Sequence, residues 1–158
     1  SHVQNLRKSK EIGTRTSIFL SHKHSDKEYL KSFIYLLKKI GISVYVDWMD
    51  YDMPKNTNGY TATLIKKKIK EMNKFILLAT EGAIQSKWCN WELGFGDSNK
   101  FPENIAILPI TDNNNNEWSG NEYLQIYPII TAEYKHIIGS YYVEYKDNKI
   151  KLEEWLKR

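Results

Sequence analysis

One run of this chain has the residue types and spacing for chemistry: Lys87-Trp88-Cys89-Asn90-Trp91-Glu92-Leu93-Gly94. It sets a single carboxylate four residues after one tryptophan and beside another. On a helix, positions four apart share a face, so Glu92 would lie over Trp88 at the margin of an apolar stripe. A carboxylate pressed against indoles is partly desolvated, which favours its neutral form, and perturbed carboxylates gather at reactive sites. The same spacing has a plainer reading. Ile84, Trp88, Trp91 and Phe95 fall at i, i+4, i+7 and i+11, an ordinary core stripe with Glu92 as its solvated edge. Spacing alone leaves both open.

A second group is Ser21-His22-Lys23-His24, directly after an apolar run. At a helix N-terminus such a loop offers backbone N–H groups, a hydroxyl and a cation to a phosphate. Equally, Ser21 could simply close a strand, with His22 and His24 as surface residues. His22, His24 and Asp26 could hold a metal ion, but two residues apart in a loop is a weak pattern. Neither G-x-x-x-x-G-K-[ST] nor G-x-G-x-x-G occurs; Gly94-Phe95-Gly96 lacks the third glycine and the preceding strand. The single cysteine, Cys89, excludes an intrachain disulfide and a thiolate cluster.

The elements that must position these residues alternate along the chain. Residues 1–15 lack periodicity and read as a flexible leader or tag remnant, leaving 16–158 as one domain. Thr16–Ser21 is a short apolar strand, and Ser25-Asp26-Lys27-Glu28 reads as a capping box opening a helix. Leu30, Phe33, Ile34, Leu37 and Ile40 give that helix its apolar face, and Gly41 ends it. Strands follow at Ile42–Asp47, Phe75–Thr80, Ile105–Ile110 and Tyr141–Tyr145, with a polar loop over Trp48–Gly59. Helices are expected around Lys66, over Ser86–Asn99, near Asn121–Ile126 and over Leu152–Arg158. Strands apolar throughout need cover on both faces, and alternating helices supply it. The pattern predicts an α/β, flavodoxin-like doubly wound sandwich, with a central five-stranded parallel sheet and helices on both faces. Ligands in such sheets sit at the carboxyl ends of strands where the order reverses, so the loops after Ser21, Asp47 and Thr80 would open there.

The 158 residues suffice for a proper core, and a net charge of +4 permits anions without demanding nucleic acid. Lys66, Lys67, Lys68 and Lys70 are most simply the solvated side of a helix whose other face is Ala62, Ile65, Ile69 and Met72. No apolar run reaches the roughly 18 residues of a membrane span. The expected setting is a reducing cytoplasm, with no nucleic-acid or membrane partner.

In order, the motifs resemble those of Toll/interleukin-1 receptor (TIR) domains. Phe19-Leu20-Ser21-His22 resembles the family's F-[IL]-S-[HY] start, and Gly41 to Asp47 its second strand with a closing Asp. Phe75–Thr80 resembles the third strand, which in the family usually ends in Ser. Trp88-x-x-x-Glu92-Leu93-Gly94 resembles the segment holding the catalytic Glu of TIR domains that cleave NAD. The likeness runs from about Thr16 to Ile110. It departs in the loop after the second strand, where many animal adaptors carry Arg-Asp and Pro-Gly and this chain has Pro54-Lys55.

The resemblance implies a bacterial-type NAD+ glycohydrolase acting in immune, anti-phage-type defence. NAD+ would be its substrate, with no permanently bound cofactor and no metal. The leaving nicotinamide departs as a neutral base and needs no general acid, so one carboxylate suffices where typical glycosidases use two. Glu92 would hold the ribose hydroxyls and stabilise the oxocarbenium-like charge. Ser21, His22, Lys23, Asp47, Trp48, Trp88 and Trp91 would bind the dinucleotide, the indoles by stacking on a ring. The product would be linear, cyclic or conjugated ADP-ribose. Family enzymes are thought to complete the site by self-association through the loop after the second strand, here Trp48–Gly59, under a fused or separate sensor. The alternative is a non-catalytic module working through TIR–TIR contacts.

Overall fold

The computed structural model describes residues 16–46, 58–110, 122–134, 137 and 139–158. The proposed leader, and Asp47 and Trp48 with most of the loop after them, lie outside these.

The first strand, β1 (Ser17–Ser21), is followed by a 3-10 turn at His24–Asp26 and helix α1 (Lys27–Lys39). Ser25 lies inside that turn, and Asp26 caps α1 without a side-chain hydrogen bond, so the expected capping box does not form. Asp26 is otherwise engaged: its Oδ2 accepts from Thr80 Oγ1 at 2.5 Å. Helix α1 buries Leu30, Phe33, Ile34, Leu36 and Leu37. It ends at Gly41 (φ +84), where Ile42 N–H reaches Leu37 O and Gly41 N–H reaches Lys38 O. Glycine takes this left-handed conformation without a Cβ penalty, and the paired bonds satisfy otherwise orphaned carbonyls.

Next come β2 (Ser43–Tyr45), α2 (Gly59–Glu71), β3 (Lys74–Ala79), α3 (Glu81–Gln85), α4 (Lys87–Asn99) and β4 (Ile105–Pro109). After a 3-10 turn at Glu122–Ile126, β5 (Ile129–Ala132), β6 (Tyr141–Tyr145), β7 (Asn148–Lys151) and α5 (Leu152–Lys157) complete the chain. The sheet order is β2-β1-β3-β4-β5-β6-β7. Its first five strands are parallel, and the last two add antiparallel. The order 2-1-3-4-5 is the flavodoxin-like one, with its switch point between β1 and β3.

The fold class is therefore as expected, but the fifth parallel strand is not. Ile129–Ala132 takes that place, and Tyr141–Tyr145 is the sixth strand, antiparallel to it. The hairpin to β7 turns at Lys146 (φ 46) and Asp147 (φ 54), between the paired residues Tyr145 and Asn148. Two consecutive left-handed residues define the primed turn that suits strand twist, normally written Asn-Gly or Asp-Gly. Lys-Asp carries no such signal.

Two apolar layers cover the sheet. Ile18, Leu20, Ile76 and Leu78 pack under α1 and α5, while Phe19, Phe75 and Leu77 pack under α2 and α4. Strand β3 is buried at every position. Fully burying a large apolar side chain such as Phe75, Ile76 or Leu77 contributes about 1.5–3 kcal/mol. Helix α4 lies close on β3 because Gly96 has no side chain; a Cβ there would stand 3.2 Å from the Phe75 ring.

Candidate active site

The carboxyl ends of β1 and β3 meet the buried side of α4 at the switch point. Ser86 caps α4, its Oγ accepting from Cys89 N at 3.2 Å. From that start the helix turns Cys89, Glu92, Leu93 and Gly96 inward. Glu92 is 1% exposed. Ser21, the last residue of β1 and equally buried, donates its hydroxyl to Glu92 Oε1 at 3.1 Å. The plain reading of Glu92 as a solvated edge is thus overturned. A buried carboxylate is costly unless it is hydrogen-bonded, so a strand-end hydroxyl aimed at it is a built arrangement.

The aromatic stripe lies elsewhere on the helix. Ile84 belongs to the separate helix α3. Trp88 and Trp91 stack on each other at 5.1 Å between ring centroids, and Trp91 on Phe95 at 6.2 Å. Trp88 and Phe95 are half-buried against the α2–α4 layer, whereas Trp91 is 38% exposed. Lys66 and Lys70 of α2 extend over the Phe95 ring. The expected core stripe is therefore a half-covered ridge beside the buried stripe. The Trp88 indole Nε1 is buried with no hydrogen-bond partner among the described residues. Indole N–H groups ordinarily find a partner when buried.

Beyond Ser21 the loop runs outward. His22 is buried and its ring stacks on His24 at 5.7 Å. Lys23 is exposed, and its side chain crosses Gly82 in the first turn of α3, where a Cβ would come within 2.9 Å of Lys23 Cδ. The Thr80–Asp26 hydrogen bond ties the end of β3 to the turn before α1, while Thr80 also caps α3 by accepting from Ala83 N at 3.0 Å. Sequence reasoning treated Thr80 as a strand end only; Thr before Glu81 at a helix start was the available signal. The far end of α4 is held by Tyr127, whose hydroxyl donates to Asp97 at 2.9 Å. Burial, then that acidic neighbour, pushes the Tyr127 phenol well above its ordinary value. Tyr123 likewise donates to Asn90.

Ser21, His22, Lys23, Glu92 and Trp88 thus belong to elements that meet at one end of the sheet. Trp91 faces outward, and Asp47 and Trp48 fall outside the described residues.

A hydroxyl-anchored carboxylate at the switch point of a 2-1-3-4-5 sheet accords with the family that the motifs resemble. Residues 18–135 match the TIR domain family, and the chain belongs to it. It is similar to the "Probable 3' cyclic ADP-D-ribose synthase ThsB'" of Bacillus cereus (strain MSX-D12), 31% identical over 72% of this chain and 59% of that protein. It is also similar to the "Probable 2' cyclic ADP-D-ribose synthase TcpO" of Methanobrevibacter olleyae, 36% identical over 66% of this chain and 32% of that protein. The chain therefore spans less than two thirds of the length of either relative. Among the described residues, no helix is long and apolar enough to cross a membrane.

Proposed function

We propose that this domain cleaves the bond between nicotinamide and ribose in NAD+ and passes the ribosyl group to an internal acceptor or to water. The observation that carries the reading is the buried Glu92 carboxylate, hydrogen-bonded by Ser21 at the carboxyl end of β1. The names of both relatives, cyclic ADP-ribose synthases, support it.

In the reaction the C1′–N bond breaks and its electron pair leaves with nicotinamide, which becomes neutral. Positive charge develops on the ribose, and Glu92 stabilises it and accepts from the ribose hydroxyls. A ribose hydroxyl of the same molecule then attacks C1′ and closes the ring, its proton passing to solvent; water in its place gives linear ADP-ribose. Ser21 holds the carboxylate in one orientation. Lys23 supplies a cation for the diphosphate, and Trp88 an aromatic wall.

The domain's role is anti-phage-type defence, through depletion of NAD+ or release of a cyclic signal. Self-association, with Trp48–Gly59 of one copy completing the site of another, belongs to the same reading. Chromatography of products after incubation with NAD+ tests the reaction, and specific activity rising with protein concentration tests the assembly. Unchanged NAD+ at high enzyme concentration would instead favour a non-catalytic interaction module.

A further inference from the structure

The opposite end of the parallel strands holds a pocket, separated from Glu92 by about the length of β3. Six residues of strand put the two roughly 16 Å apart. Lys74, which opens β3, is 2% exposed. Its Nζ donates to Asn104 Oδ1 at 2.6 Å and stands 4.6 Å over the Trp155 ring. Trp155 is held in turn by a bond from Nε1 to the Glu103 carbonyl oxygen at 2.8 Å. These residues line a cavity of about 340 Å³, with Tyr145 and Ile150 in its apolar wall and Lys149 and Arg158 also lining it.

Positive charge predominates in the lining of this cavity: among the described residues Lys74, Lys149 and Arg158 stand with one lining acid, Glu103. Lys149 and Arg158 also reach Glu144 and Glu154 on the surface, but such exposed pairs are weak and readily exchanged. Burying an ammonium is unfavourable without a counter-charge, and burial lowers Lys74 to about 8, with Glu103 drawing it up and Arg158 down. A phosphate monoester carries about 1.5–2 negative charges and meets the excess of two cations, which a carboxylate would half fill. The volume lies at the low end of small-molecule sites, right for one nucleotide and too small for a dinucleotide.

We infer that this cavity binds a nucleoside monophosphate, its phosphate among Lys74, Lys149 and Arg158 and its base against Tyr145 and Ile150. The inference does not depend on the chemistry at Glu92, and its test reads binding rather than turnover.

Isothermal titration with AMP, adenosine and inorganic phosphate is run on the unaltered chain and on the Lys149→Glu/Arg158→Glu double variant. Both positions are exposed, and melting temperature confirms that the variant folds. AMP should bind one to one with a Kd between about 10 μM and 1 mM, and the double variant should bind at least about tenfold more weakly. Adenosine and inorganic phosphate should each bind at least about tenfold more weakly than AMP. The inference is overturned by no AMP binding at about 1 mM or by phosphate binding as tightly as AMP. Undiminished AMP binding in the double variant also overturns it, since that places the nucleotide elsewhere, such as beside Glu92.

Discussion

Ser21 and Glu92, 71 residues apart in sequence, are joined by one buried hydrogen bond from hydroxyl to carboxylate at 3.1 Å. A strand end and a helix are thereby coupled at the point where the sheet reverses order. Under the proposed function this bond lets Ser21 orient the carboxylate and act through Glu92, an alternative to the direct dinucleotide contact that the resemblance implies.

Ser21→Ala should therefore lower kcat for NAD+ cleavage about 10–100-fold, since a hydrogen bond to a charged group is worth roughly 1.5–3 kcal/mol. KM should stay within about twofold, because the lost interaction serves the transition state. Steady-state kinetics decide the point. A raised KM with kcat unchanged would make Ser21 a direct substrate contact, as the sequence reading had it.

Trp88 and Trp91 should separate on stability. Trp88 is half-buried and stacked, so Trp88→Ala should cost roughly 2–4 kcal/mol and lower the melting temperature by several degrees. Trp91 is 38% exposed, and Trp91→Ala should cost under about 1.5 kcal/mol. Thermal unfolding of the two variants measures this directly. Equal losses would mean that the ridge is stabilised as one stack and not by burial against the sheet.

Much of this arrangement was legible from the chain. The apolar runs give β1, β3 and β4 to within a residue or so, and Gly41 marks the end of α1 through a conformation that glycine adopts freely. Ser86 as a helix start was equally readable. The inward turn of Glu92 was not, because helical periodicity locates a stripe without saying which of two adjacent stripes meets the sheet. Here the glycine at position 96 decides it, by letting α4 approach Phe75 along the Cys89–Glu92–Gly96 side. Strand β5 was not legible because its run Ile129–Ala132 is only four residues long, too short to carry a clear strand pattern. The β6–β7 hairpin turns on Lys146 and Asp147, which carry no turn signature.

Lys74 gives a pH dependence with a definite sign. Burial lowers its folded value to about 8 against an ordinary 10.5. Below about 8 both folded and unfolded chains hold the proton and the penalty of burying the charge is complete. Between about 8 and 10.5 the unfolded chain holds more protons, so stability should rise with pH across that window. Lys100, also lowered by burial, adds in the same direction, while the raised Tyr127 opposes it above about 10. Chemical denaturation of the unaltered chain and Lys74→Met across this range isolates the Lys74 part. The difference in stability between them should shift in favour of the unaltered chain as pH rises; a constant difference would mean that Lys74 ionises as it does in water.

The most direct test is NAD+ consumption by Glu92→Gln beside the unaltered chain, with melting temperatures taken in parallel. Glutamine keeps the shape and can still accept from Ser21, but it lacks the charge that would stabilise the ribosyl cation. The expected result is a loss of about 10²–10³-fold in turnover with the fold retained. A folded variant that keeps more than about a tenth of the original turnover, a loss under roughly 1.4 kcal/mol, would contradict Glu92 as the catalytic carboxylate.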